Sequence, residues 1–161
     1  MGKKQWICIF LAFVMQLSAT FMSRTEAVSA DRLKLLLSAP WHGSYVCNQG
    51  LTRLQLLIRP LQGGDESRLE AEFVFSGDQD NPSVPTGSFR LTGALNPASG
   101  HLVLKQDRWL EQPSDLSYRM VDMEGRLVIG EGQAMIRGRV TTYGCQDFAV
   151  WQFFADAPVS R

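Results

Sequence analysis

The stretch Arg68-Leu69-Glu70-Ala71-Glu72-Phe73-Val74-Phe75-Ser76 places Leu69, Ala71, Phe73 and Phe75 on one side of an extended chain and Glu70, Glu72 and Ser76 on the other. Successive side chains of a strand point to opposite faces, so this alternation describes a strand with one dry face and one wet face. The same period recurs on both sides of it. Leu54, Leu56 and Ile58 alternate with Arg53, Gln55 and Arg59, and Phe89 and Leu91 alternate with Ser88, Arg90 and Thr92. Turn residues separate the runs at Asn48-Gln49-Gly50, Gly63-Gly64-Asp65, Asn96-Pro97-Ala98-Ser99-Gly100 and Gly130-Glu131-Gly132. Connections this short make neighbouring strands antiparallel.

Eight strands follow, near 43–47, 52–59, 68–76, 87–95, 101–105, 117–129, 133–141 and 147–154, with Gly125 expected at a bulge or bend. Before them Asp31 can cap a short helix, Arg32 to Ser38, whose Leu33, Leu36 and Leu37 recur at helical spacing until Ala39-Pro40 stops it. The expected fold is all-β: an antiparallel up-and-down barrel or curled meander of about eight strands, with a short N-terminal helix and one disulfide. An open sandwich is the alternative. Closure supplies partners for edge strands, which favours the barrel.

The chain has 161 residues. Lys3 and Lys4 precede an apolar run, Trp6 to Met15, and Val28-Ser29-Ala30 offers small residues for cleavage before Asp31. That pattern reads as a signal peptide over 1–30 and a single β-domain over 31–161. The run is about ten residues long where a spanning helix needs about 20, so no stable membrane span is expected after cleavage. Export to a periplasm or the extracellular space would oxidise the two remaining cysteines, Cys47 and Cys145, into a disulfide. Closing a loop of roughly 100 residues contributes up to about 4–5 kcal/mol in the chain-entropy model.

Residues 31–161 carry 13 basic and 15 acidic side chains. The balance implies no polyanion, and nucleic acid is not expected as a partner. Arg53, Arg59, Arg90, Arg119, Arg137 and Arg139 are spread singly along the strands, as on a solvated face. No catalytic set stands out. His42 and His101, the two histidines, are too few for a zinc centre, and neither accompanies a Gly-x-Ser-x-Gly nucleophile elbow. Asp78 with Asp80, and Asp122 with Glu124, are acids two apart, a common spacing in loops and strands. Gly130-Glu131-Gly132 lacks the following helix of a phosphate loop. Neither a cofactor nor a metal is expected.

Two segments break the alternation: Gly77 to Thr86, stiffened by Pro82 and Pro85, and Gln106 to Ser114, which carries Trp109-Leu110 and Pro113. Loops on a rigid scaffold are where binding residues collect. The candidate partner-binding residues are therefore Asn81, Val84, Pro85, Trp109 and Leu110, with Trp41 and Arg119. Trp41 and Trp151 are otherwise expected to pack in the core. In the last strand Cys145, Ala149, Trp151 and Phe153 share a parity, as do Trp41, Tyr45 and Cys47 in the first, which would set the bridge among aromatics if those faces met.

The segments Tyr45-Val46-Cys47-Asn48-Gln49-Gly50, Asn81-Pro82-Ser83-Val84-Pro85-Thr86-Gly87, Trp109 with Pro113, and Cys145-Gln146-Asp147-Phe148 together resemble a secreted bacterial β-domain of uncharacterised role. The Tyr-x-Cys-x-x-Gly start also resembles the small periplasmic barrels that inhibit C-type lysozyme, which bridge that cysteine to one near the end. Those inhibitors carry Ser-Gly-x-x-Tyr and Trp-x-Lys-Gly elements. Here the corresponding runs are Ser99-Gly100-His101-Leu102-Val103 and Trp109-Leu110-Glu111-Gln112, without the tyrosine, lysine and glycine. The expected function is an exported, non-enzymatic binding module presenting residues 77–86 and 106–114 to a protein or glycan partner. A lipocalin-like or avidin-like carrier of a small apolar ligand and a lysozyme-type hydrolase inhibitor are the alternatives.

Overall fold

The computed structural model describes residues 30–37, 39–61 and 67–153. Eight strands form one closed antiparallel barrel in sequence order: β1 (Trp41–Cys47), β2 (Gly50–Pro60), β3 (Arg68–Ser76), β4 (Gly87–Leu95), β5 (His101–Glu111), β6 (Met123–Ile129), β7 (Gln133–Val140) and β8 (Asp147–Phe153). β8 returns to β1, with His42 opposite Trp151 and Tyr45 opposite Phe148. The expected leader up to Ser29, the Gly63-Gly64-Asp65 turn, Ser38 and Phe154 lie outside the described residues.

The period-two pattern sorts as expected. Leu69, Ala71, Phe73 and Phe75 point inward, as do Leu54, Leu56, Ile58, Phe89 and Leu91. An eight-stranded barrel leaves an interior just wide enough for side chains to fill. Aromatic rings fill the half nearer Cys47: Phe73 stacks on Phe89 at 4.5 Å, Tyr45 meets Phe73 edge-on at 5.2 Å, and Trp109 meets Phe89 edge-on at 5.4 Å. Trp41, Ile58, Leu69, Leu95 and Leu102 fill the other half with the helix.

That helix, α1 (Ala30–Leu36), closes the base of the barrel. It begins at Ala30, one residue before Asp31. Leu36 and Leu37 are buried, and Leu33 packs against the core. Gln152 Nε2 donates to the Ala39 carbonyl at 2.9 Å and fastens the segment after α1 to β8.

Several expectations need correction. β5 continues to Glu111, so Gln106–Glu111 is strand; register shifts at Ser88/Phe89 and Arg90/Leu91 hid its periodicity. β6 starts at Met123 and not at 117, leaving 112–122 as the irregular segment. Gly125 pairs in register with Gly138, and the bulges fall between β4 and β5. A Cβ on Gly138 would stand 2.1 Å from the Glu124 carbonyl oxygen and 2.4 Å from Gly125 Cα. The glycines allow close backbone approach where the wall curls. Trp151 and Phe153 do not meet the first-strand set: Phe148, Val150 and Gln152 point inward, which puts Trp151 and Phe153 on the outer face. Cys145 precedes β8, in the turn after β7.

Candidate functional site

Four connections gather at the end opposite α1: the β1–β2 turn, residues 77–86, residues 112–122 and the 141–146 turn. The disulfide Cys47–Cys145 joins the first and last of them. Gln146 N donates to the Val46 carbonyl at 2.8 Å beside it. We call this end the mouth.

Residues 77–86 fold down onto the mouth as a fixed cover. Asn81 donates from its amide to the carbonyls of Gln49 and Leu51, at 2.5 and 3.1 Å, and so ties the cover to the β1–β2 turn. Asp80 N and Asp78 Oδ1 close a local turn, and Val84 is buried. Residues 112–122 form the second wall. Asp115 Oδ1 accepts from Ser117 N at 2.9 Å, and the hydrogen bonds from Ser117 hold the Asp115 carboxyl below the usual carboxylate range. Pro113 is buried against the Gly87 backbone. Asp122 pins the wall's end, accepting from Gln106 N at 2.9 Å and from Lys105 Nζ at 3.1 Å.

Between the 112–122 wall, the β1–β2 turn and the 141–146 turn lies a cleft of about 440 Å³, which no residue of 77–86 lines. The chain has three tyrosines, and all three line it: Tyr45, Tyr118 and Tyr143. Tyr45 forms the floor. Its hydroxyl oxygen accepts from Gln49 Nε2 at 3.1 Å, and the same amide donates to Thr52 Oγ1 at 3.3 Å. Burial raises the Tyr45 pKa well above the usual phenol range, against the opposing pull of the Thr52 and Gln49 side chains on its hydroxyl. Tyr118 lies parallel to Phe75, centroids 5.8 Å apart. Desolvation and then the charge of Asp115 push its pKa up. Tyr143, at the tip of the 141–146 turn, is 98% exposed. Gly144 beside it has φ +82°, a left-handed conformation that suits glycine, and a Cβ there would collide with Asn48.

The residues singled out by sequence divide sharply. Arg119 lines the cleft, its Nη1 donating to the Leu116 carbonyl at 2.6 Å. Asn81 and Val84 build the cover, and Pro85 is half-buried within it. Trp109 is half-buried, edge-on to Phe75 at 6.3 Å, and serves the core. Leu110 is exposed on the outer wall, away from the cleft. Trp41 is fully buried at the base, its Nε1 without a hydrogen-bond partner among the described residues. Trp151, expected in the core, is on the outer face. Sequence reasoning missed Tyr118 and Tyr143. Their signal was slight: both stand outside any alternating run, beside turn residues.

The cleft offers phenol hydroxyls, the Gln49 and Asn48 amides, a carboxylate and a guanidinium over an aromatic floor. Neither histidine lines it: His42 is near the base, and His101 pairs with Glu124 on the outer wall at 2.9 Å. Among the described residues no group of three His, Cys, Asp or Glu side chains is placed to hold a metal ion. No helix among them is long and apolar enough to cross a membrane. Searched against protein-family models, curated proteins and solved structures, the chain matches none.

Proposed function

We propose that the protein is an exported binding module whose mouth receives a protein or glycan partner. One observation carries this reading: every tyrosine of the chain converges on one cleft at the disulfide-stapled end. Tyrosine supplies rigid contact area with a polar handle, and it is enriched where proteins recognise partners. Export rests on the N-terminal leader pattern, and the Cys47–Cys145 bridge is compatible with an oxidising compartment.

The carrier reading is weaker, because Trp41, Leu54, Leu56, Phe73, Phe89 and Leu91 already occupy the interior where an apolar ligand would sit. The inhibitor reading keeps one observation in its favour. An exposed Tyr143 on a turn anchored by Cys145 is a rigid projection of the kind that enters an enzyme cleft.

The test compares wild type with Tyr118→Ala and Tyr143→Ala, each screened against a soluble glycan library and against C-type lysozyme. Binding by wild type that either substitution weakens, with the unfolding midpoint unchanged, supports the mouth. Ligands bound equally by all three proteins would reject it.

A further inference from the structure

Along much of the outer wall basic side chains stand beside acids. Arg53 faces Asp78, Arg90 faces Glu70, Lys105 faces Asp122, and Arg139 faces Asp147, each within 4 Å. Arg59, Arg68, Arg108, Arg126 and Arg137 stand outside this pattern. Arg90 is also registered opposite Arg108, where Glu70 offsets the charge, whereas Arg126 and Arg137 are an opposed pair with no such acid. The β6–β7 register sets them directly opposite one another, and His101 of β5 is opposite Arg126 on its other side. Glu124, the nearest acid on β6, is hydrogen-bonded to His101. Both arginines are exposed, and neither has an ion-pair partner among the described residues. Like charges directly opposite across a ladder are destabilising, so packing gives no reason for this row.

The row lies in an open groove of about 730 Å³ that runs over the Gly125–Gly138 pair. One end of the groove is the 142–145 turn. Tyr143, Gly144 and Cys145 border both this groove and the mouth cleft, so the two form one continuous surface with Tyr143 at the ridge. Around the arginines the groove presents Glu124, Arg139, Thr141 and Thr142, and the one aliphatic side chain in its lining, Val140, is buried. Guanidinium groups bind carboxylate and sulfate through paired N–H donors. A sugar ring can lie flat on the exposed phenol of Tyr143, with hydroxyls reaching Thr141 and Thr142.

We infer that this groove is an anion subsite continuous with the mouth, and that the partner is an acidic polysaccharide. Its carboxylate or sulfate groups meet Arg126 and Arg137 while a neighbouring sugar crosses Tyr143. The inference rests on the mouth reading and narrows it to one class of ligand. The sequence hid the site because the arginines are singly spaced along the chain and its net charge is zero.

Calorimetric titration of the disulfide-closed protein with oligogalacturonate, dextran sulfate, neutral dextran and oligoglutamate tests it. At least one acidic glycan should bind, more weakly as salt rises. The Arg126→Ala/Arg137→Ala pair should weaken that binding by about tenfold or more, the scale of losing two charge-assisted contacts. The unfolding midpoint should stay level or rise, because the repulsion is gone; a structural role would lower it. Arg126→Lys/Arg137→Lys, which keeps the charge but not the fork, should fall between. Equal acidic-glycan binding by the alanine pair, or none by wild type, would overturn the subsite. Oligoglutamate binding as tightly as oligogalacturonate would overturn the polysaccharide assignment in favour of an acidic protein. Neutral dextran bound alone, lost in Tyr118→Ala and untouched by the arginine pair, would overturn this inference and leave the mouth standing.

Discussion

Position 138 has room for no side chain. A methyl group there would overlap the Glu124 carbonyl and the Gly125 backbone, neither of which can swing aside as a flexible side chain can. Gly138→Ala should therefore cost about 3 kcal/mol, the upper range of overpacking. Gly130→Ala is the control. Its added methyl would meet nothing closer than 3.7 Å, so the change should stay within about 0.5 kcal/mol. Urea unfolding of the two variants checks both. Tyr45 makes a second residue-scale prediction. Its phenol pKa is raised in the folded barrel by burial, so the contribution it makes is fully present below the unfolded value of about 10. Above that pH the unfolded chain gives up the proton first, the folded state binds more protons, and stability falls as pH rises. Midpoints measured from neutral to strongly alkaline pH should fall less for Tyr45→Phe than for wild type. Parallel curves would show that Tyr45 is not the group responsible.

At the scale of elements, what the sequence revealed was what period two can carry. β2, β3 and β4 lie where the alternation of Leu54 to Ile58, Leu69 to Phe75 and Phe89 to Leu91 put them. β5 was truncated in the reading because two register shifts change the parity, one between Gln106 and Arg108 and one between Trp109 and Glu111. The parity of β8 misled in a different way: Trp151 and Phe153 are the larger apolar residues, yet the smaller Val150 faces inward with Phe148. The site was less legible than the fold. Residues 77–86 were correctly seen as exceptional, but their polar side chains are spent on holding the cover down, as Asn81 shows. The cysteines were legible because Cys47 and Cys145 are the one pair outside the expected leader. Their bond spans a sequence separation of 98 and anchors the turn that bears Tyr143. Cys47→Ser should lower stability by up to about 4–5 kcal/mol. It should also weaken any ligand that depends on Tyr143, even under conditions where the barrel stays folded. Thermal unfolding and titration of the same preparation separate the two effects.

The whole barrel is not equally strong around its circumference. β2 with β3, β3 with β4, and β6 with β7 are each registered over seven or more residues, whereas β1 with β8 and β5 with β6 are registered over only four. These are the two seams at which a closed sheet can open. The β1–β8 seam is reinforced at both ends, by Cys47–Cys145 at the mouth and by Gln152 bonding to Ala39 near the base. The β5–β6 seam has the exposed His101–Glu124 pair and the contacts of Asp122 with Lys105 and Gln106. Exposed pairs of this kind contribute at most about 1 kcal/mol each. Partial opening should therefore start between β5 and β6. Hydrogen exchange is expected to be faster at the ladder amides of His101–Leu104 and Met123–Arg126 than at those of β2 and β3. Asp122→Ala should speed it further, by releasing Gln106 N and Lys105 together. Reduction of the disulfide should move fast exchange to His42–Tyr45 and Phe148–Trp151 and leave the β2–β3 amides protected. Uniform exchange around the barrel, before and after reduction, would mean that closure makes the sheet a single cooperative unit with no weak seam.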